Sequence, residues 1–368
     1  MDWSTYDITA LETKYDRFLA PAVEITLGGR TLDSTKIPIP QLEVELSADG
    51  SAGGCTFTVD GLFDYENRKW NNDLASSVKA GAKLEISGGY VKKKPLFYGY
   101  VDDYTMEHIN AGAPRLIVNG IDGLGFLMSC YEPYYGGQKK CKEIISELLK
   151  KSVAAGFATD VTVDTVGALK DFETPLVKEQ VDDFKFLRIL AERYGMVLMG
   201  VNGELVFDAL WKDSASLIKL TMGNGLLSFN KRVSLKKQVG KVTVWGRDVN
   251  QKFISGTADS VSIGGKGKSA AQLVSALKDT ELREYSEYAR TAEECTQLAQ
   301  ARLDSIAMEL VSGEGQCIGI PELIPGRFIT IDGLEDETEG VYFLNKVVHC
   351  FSAEGYYTSF EVKGAKTE

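Results

Sequence analysis

The feature that most constrains this chain is an alternation of apolar and polar residues with a period of two, interrupted every few residues by glycine. It runs from about Ala20 to Leu127 through VEITLGG, QLEVELSADG, CTFTVDG, KLEISGGY, LFYGYVDDYTMEH and RLIVNGID. Successive side chains on a strand point to opposite faces, so this period predicts antiparallel strands with one buried face. Six such strands make a barrel or a sandwich, and closing the sheet removes its exposed edges. The pattern returns near Leu217 in LLSFNKRVSLKK and KVTVWGRDV, and again in QCIGIPELIPG, RFITIDG, GVYFLNKVVHCF and YYTSFEVKG. Pro325-Gly326 and Asp332-Gly333 read as its turns.

Between Lys139 and Leu210 the period changes. KKCKEIISELLKKSVAAG sets Ile144, Ile145, Leu148 and Leu149 on one helical stripe that Gly156 ends. A second helix is expected over about Asp182 to Tyr194, capped by Asp182 or Asp183 and stopped at Gly195. MVLMGVNGELVFD then reads as a hairpin around Asn202-Gly203, a pair that tolerates the positive φ of a type I′ turn. After the second set of strands begins, the loop SGTADSVSIGGKGKS and helix-forming sequence from Ala270 to Met308 interrupt it. The expected fold class is mainly β with α+β insertions. Residues 1–127 form a first β domain with an N-terminal arm and 128–212 a small α+β domain; 213–252 with 309–368 form a second β domain, split by a loop and helical insertion at 253–308.

The 368 residues are enough for two or three cores. No basic leader precedes an apolar stretch at the N-terminus, and no window approaches the roughly 18 apolar residues that cross a bilayer, so no membrane insertion by this chain is expected. A net charge of −11 disfavours nucleic acid, whose affinity comes from clustered Lys and Arg. Cys55, Cys130, Cys141, Cys295, Cys317 and Cys350 are too scattered for a metal or disulfide framework and read as reduced thiols.

Catalytic and cofactor readings start with little material. His108 and His349 are the two histidines of the sequence. His349 and Cys350 are strand neighbours facing opposite sides, so His349 reads as a packed strand histidine and His108 as a surface residue. SIGGKGKS lacks the first glycine of a phosphate-binding loop, since Ser262 stands there; it reads instead as a charged surface loop whose Lys266 and Lys268 face an acidic partner. Glu335, Asp336, Glu337 and Glu339 in GLEDETEG lack the ligand spacing of a calcium loop, and read as a solvated turn suited to charge-guided docking. In LFYGYVDDY the large side chains Leu96, Phe97, Tyr98, Tyr100 and Tyr104 exceed what a strand with one wet face needs, so either they fill the barrel or some face a neighbour. No catalytic, cofactor or metal residue is assigned; the interface candidates are Phe97, Tyr98, Tyr100, Tyr104, Lys266, Lys268, Glu335, Asp336 and Glu337.

The C-terminal run from TAEECTQLAQARLDSIAMELVSGEG to YYTSFEVKG resembles the baseplate hub proteins of contractile tails, among them the late control D proteins of temperate phages and the hub portion of VgrG proteins. The likeness lies in an Ala-rich helix (Ala292, Ala299, Ala301), Pro325-Gly326-Arg327-Phe328, Gly340-Val341-Tyr342, Val347-Val348-His349 and Tyr356 to Phe360. KPLFYGYVDDYTMEHINAGAPRLIVNGIDGLGFL and FETPLVKEQVDDFKFLRILAERYGMVLMGVNGELVFD are similar to the same family, in the same order. The resemblance implies two tube-like antiparallel β-barrel domains per chain and a homotrimer that adapts a six-fold tail tube to a three-fold spike. Its partners would be the tail tube protein, a spike and surrounding baseplate proteins. VgrG proteins carry the spike in the same chain, whereas here only four residues follow Gly364, so the spike is expected to be a separate protein. Such a protein is made in the bacterial cytoplasm and assembled into a virion or tail-like particle. A tail-tip cell-wall hydrolase is the alternative from another class, and a tail-tube or secreted-ring protein is a third.

Overall fold

The period-two segments become strands in the computed structural model, which describes residues 4–32, 37–60, 63–70, 77–108, 110, 114–135, 137, 139–172, 175–212 and 214–367. The chain enters through α1 (Ile8–Lys14), whose first amides, from Thr9 and Ala10, donate to the Asp7 carboxylate. The N-terminal strands follow: β1 (Ala22–Leu27), β2 (Arg30–Thr31), β3 (Gln41–Ser47), β4 (Gly54–Asp60), β5 (Phe63–Asp64), β6 (Lys69–Trp70), β7 (Lys83–Gly89), β8 (Lys93–Glu107) and β9 (Arg115–Asp122). Among the described residues β5 and β6 pair with each other, and the rest form one sheet in the order β2-β1-β7-β8-β9-β4-β3. Alternation sorts their faces. On β3, Leu42, Val44 and Leu46 are buried while Gln41, Glu43 and Glu45 are exposed.

Next comes α2 (Gly123–Leu127), then β10 (Tyr134–Tyr135), α3 (Cys141–Ala154), β11 (Asp160–Val163), β12 (Val177–Lys178), α4 (Asp183–Tyr194), β13 (Val197–Val201) and β14 (Glu204–Asp208). The predicted stripe of α3 is buried with Leu187 and Leu190 of α4 against the sheet β11-β14-β13. Asp182 caps α4 by accepting the Lys185 amide at 2.7 Å, and Gly195 ends it at φ 63°. Asn202 and Gly203 both have positive φ, as a type I′ hairpin requires.

The remaining strands are β15 (Ser216–Met222), β16 (Gly225–Val233), β17 (Lys241–Arg247), β18 (Phe253–Ala258), β19 (Glu281–Tyr285), β20 (Val311–Ile318), β21 (Phe328–Asp332), β22 (Gly340–Ser352) and β23 (Gly355–Gly364), with helices α5 (Ala270–Leu273) and α6 (Ala292–Ala307). Six of the strands close into a barrel: the order β22-β21-β15-β16-β20-β23 returns to β22. The long strand β22 has two tasks. Gly340 to Phe343 pair with β21 and complete the barrel, while Lys346 to Ser352 pair with β3 on the same side. A register irregularity between Leu344 and Lys346 marks the changeover. The barrel and the N-terminal sheet are thus one continuous thirteen-stranded sheet. Of the two barrels expected, the C-terminal one is closed; among the described residues the N-terminal strands form a sheet whose β3 edge is satisfied by β22.

The insertion also differs from the expectation. KVTVWGR alternates as a barrel strand does, yet it forms β17 at the centre of a separate sheet, β18-β17-β19. The helix expected over 270–308 is interrupted by β19, and only α6 is long. α6 lies on one face of this small sheet, with Cys295, Ala299 and Leu303 packed against Val242, Val244 and Ala258. Gly256 makes the close approach possible: a Cβ there would lie 2.2 Å from the Thr296 amide nitrogen.

Candidate interaction surfaces

The junction of β3 with β22 lines up the outward residues of both β units on one face. Register carries one row from Ser228 through Gln316, Ser359 and Val348 to Glu45, and the adjacent row from Asn230 through Glu314 and Glu361 to Lys346. Across β4, β9 and β8 the face continues as a hydrogen-bonded chain. The Thr56 hydroxyl donates to Asn119 at 2.9 Å, and the Asn119 amide donates to Asp103 at 2.7 Å. The surface is mainly hydroxyl, amide and carboxylate, with Val348 among them and Lys346 bound to Glu45 at 2.8 Å. That carboxylate holds the Lys346 ammonium above its ordinary pKa range. Glu314 and Glu361 stand directly opposite each other, a like-charge pair that makes the face locally anionic. A shallow groove of about 480 Å³ runs over this part of the wall.

Several titratable groups are buried within the molecule. His349 is fully buried, with Nε2 3.1 Å from the Leu323 carbonyl and Nδ1 2.8 Å from the Tyr356 hydroxyl. Because a carbonyl only accepts, Nε2 carries the proton and Nδ1 accepts from Tyr356. Burial lowers the His349 pKa to about 4, so the ring is neutral near pH 7. Asp122 caps α2 through Leu124 and also accepts the Gly53 amide, both at 2.8 Å; burial raises its pKa to about 7. Lys178 and Asp183 form a buried ion pair that Lys151 joins at 2.8 Å. Among the described residues, no three His, Cys, Asp or Glu side chains converge as metal ligands.

The aromatic candidates of β8 divide. A register shift between Ile86 and Ser87 of β7 turns both Leu96 and Phe97 inward, so Phe97 belongs to the core. Tyr98 lies under the Lys83 ammonium, 4.6 Å from its ring centre, and Tyr100 stacks on Phe157 of the α+β unit at 4.1 Å. Tyr104 is 38% exposed. Lys266 and Lys268 are exposed, and the Lys268 backbone pairs with Thr367. Lys231 links this loop to the acidic turn, donating to the Thr367 hydroxyl and to the Glu337 carbonyl. Glu335, Asp336 and Glu337 are exposed, whereas Glu339 ties the turn together by accepting the amides of Gly333 and Leu334. His108, read as a surface residue, is exposed beside the rings of Phe63, Tyr65 and Trp70. The wall itself went unread in the sequence, because it needs the β3–β22 pairing between residues some three hundred positions apart.

Residues 20–353 match the family model described as Alg8 N-terminal domain. The chain belongs to that family. No curated protein matches the sequence. Among solved structures, the 43 kDa tail protein of prophage MuSo2 from Shewanella oneidensis is similar over 95% of this chain and 100% of that one, at 14% identity and a TM-score of 0.69. A tail protein from Neisseria meningitidis is similar over 94% of this chain and 96% of its own, at 14% identity and a TM-score of 0.66. An E. coli component of the type VI secretion system, described as structurally similar to T4 bacteriophage tail proteins, covers 90% of this chain with 76% of its own, at 10% identity and a TM-score of 0.58. At these identities the likeness is one of fold, and it extends over nearly the whole chain.

Proposed function

We propose that this chain is the baseplate hub of a contractile phage tail, tailocin or related injection system, of the late control D and VgrG-hub kind. It acts as a homotrimer that adapts a six-fold tail tube to a separate three-fold spike and receives the surrounding baseplate proteins. The observation that carries the reading is the continuous polar face across the β3–β22 junction. A bore that passes cargo calls for a hydrated, smooth, locally anionic wall, and this face offers hydroxyls, amides and carboxylates over two joined β units. The whole-chain fold likeness to prophage tail proteins supports the same role.

In this reading the N-terminal sheet and the closed barrel are the two tube-like modules, so three copies present six related edges to the tube. The α+β unit at 128–212 braces β8 through Tyr100 and Phe157. The exposed candidates Tyr104, Lys266, Lys268, Glu335, Asp336 and Glu337 are contact residues for neighbours, and the chain performs no chemical step. Electron microscopy of the purified chain tests this. Three-fold rings with an open, polar-walled bore are expected; six-fold rings, a closed centre or a bore lined by the apolar face would overturn it.

A further inference from the structure

The small β18-β17-β19 sheet covers only one of its faces. α6 packs on one side and itself lies against α4, so the other side is an outer layer of the molecule. On that side Trp245 stands opposite Ser255 and Tyr285, with Phe253 one residue pair along. Trp245 is 39% exposed, Tyr285 54% and Phe253 64%. Three large aromatic rings on a wet sheet face are a larger apolar outlay than solubility favours, and such patches mark contact sites. The face is also cationic in an anionic chain. Lys241, Arg247 and Arg283 stand on it, and Arg283 pairs with Glu281 at 2.7 Å. The Arg247 guanidinium lies 4.5 Å over the Phe253 ring, a pairing that leaves its outer face free to meet a carboxylate.

The complementary surface lies on the same chain. Beyond Val101 no described strand pairs with the outer side of β8, so the stretch to Glu107 is an open edge beside β9. It carries Asp102 and Glu107, and between them Tyr104 and Met106, 38% and 44% exposed. We infer that the aromatic, cationic face of the β17 sheet seats the acidic open stretch of β8 from a second copy of this chain. The two surfaces differ, so the contact is heterologous and propagates head to tail until a ring closes. The inference rests on the ring proposed above and names the surfaces that close it.

Charge exchange tests it on the full chain, with sedimentation equilibrium as the readout and circular dichroism as the check on folding. K241E/R247E and D102K/E107K are each expected to weaken self-association about tenfold or more at moderate salt, and the chain carrying both pairs to recover to within about threefold of the unmodified protein. A W245A/F253A chain should also lose assembly without regaining it in any charge background. If the unmodified chain assembles and neither exchange alters it, this contact is refuted, the face belongs to another partner and the ring stands. If each exchange weakens assembly but the combination does not recover, the two surfaces are not mates and the inference fails. A chain that stays monomeric at about 100 μM would remove the ring and this contact together.

Discussion

His349 gives the sharpest quantitative expectation. Its imidazole is enclosed by the Tyr356 and Thr358 hydroxyls and the Leu323 carbonyl, with Glu322 the nearest charged influence. Burial is the main cause of its pKa of about 4 against an ordinary 6.5, and the Leu323 and Glu322 contributions only partly oppose it. A group whose folded pKa is depressed stabilises the fold above its unfolded pKa and loses that contribution as pH falls through the folded value. Here the loss begins near pH 6.5, where the unfolded chain takes up its proton, and is nearly complete at pH 4. Each pH unit between the two values is worth about 1.4 kcal/mol, so the window holds about 3 kcal/mol. Urea unfolding of the native chain and of H349Q across pH 4–7 isolates the effect, because every other titration is common to both curves. The stability difference between the two should shrink by about 3 kcal/mol on acidification. A difference that moves by less than about 1 kcal/mol would refute a buried neutral imidazole at this position.

Two further expectations follow from groups close to the sheet junctions. Asp122 has the opposite sign: its folded pKa of about 7 stands above the ordinary 3.8, so its stabilisation is full below pH 3.8 and is lost as pH rises through 7. The same unfolding series on D122N should therefore give a difference curve sloping against that of H349Q, and parallel slopes would contradict the assignment. Glu322 is buried and accepts from the Lys14 ammonium and the Tyr15 hydroxyl, both at 2.6 Å, with Lys94 at 3.4 Å. Because both lysines are about one-third exposed and can turn to water, E322A should cost about 2–3 kcal/mol rather than the full cost of a broken buried pair. Hydrogen exchange should rise first at residues 4–18, and unchanged protection there would show that Glu322 does not anchor the N-terminal arm.

Local signals in the sequence translated directly wherever the deciding physics was also local. Asp182 and Gly195 bound α4 because a side-chain acceptor and a residue tolerant of left-handed φ act within one helical turn. Asn202-Gly203 made its hairpin for the same reason. What alternation could not carry is the identity of a strand's neighbour. KVTVWGR and RFITIDG have the same period, yet one is the centre of a small sheet on α6 and the other a stave of the barrel. Gly256 lets α6 approach, since a Cβ there would strike the Thr296 backbone, and Gly246 makes room for the Ala289 carbonyl just before the helix. Period two also misleads at a bulge, where Leu96 and Phe97 both turn inward and Phe97 joins the core.

The polar face across the two β units is the least local feature of all. Glu45 and Lys346 become partners only because β22 leaves β21 near Asn345 and continues along β3, and that one change of neighbour joins the N-terminal sheet to the closed barrel. The polar wall is therefore a property of one pairing rather than of any segment. Its residues alternate with core residues on every strand, so shifting β3 against β22 by a single position would bury Glu43 and Glu45 and expose Leu42, Val44 and Leu46. Burying those leucines and the valine on one side fixes the register, and the same register necessarily delivers the carboxylates to the other. Core packing and the chemistry of the wall are thus set together by a single register.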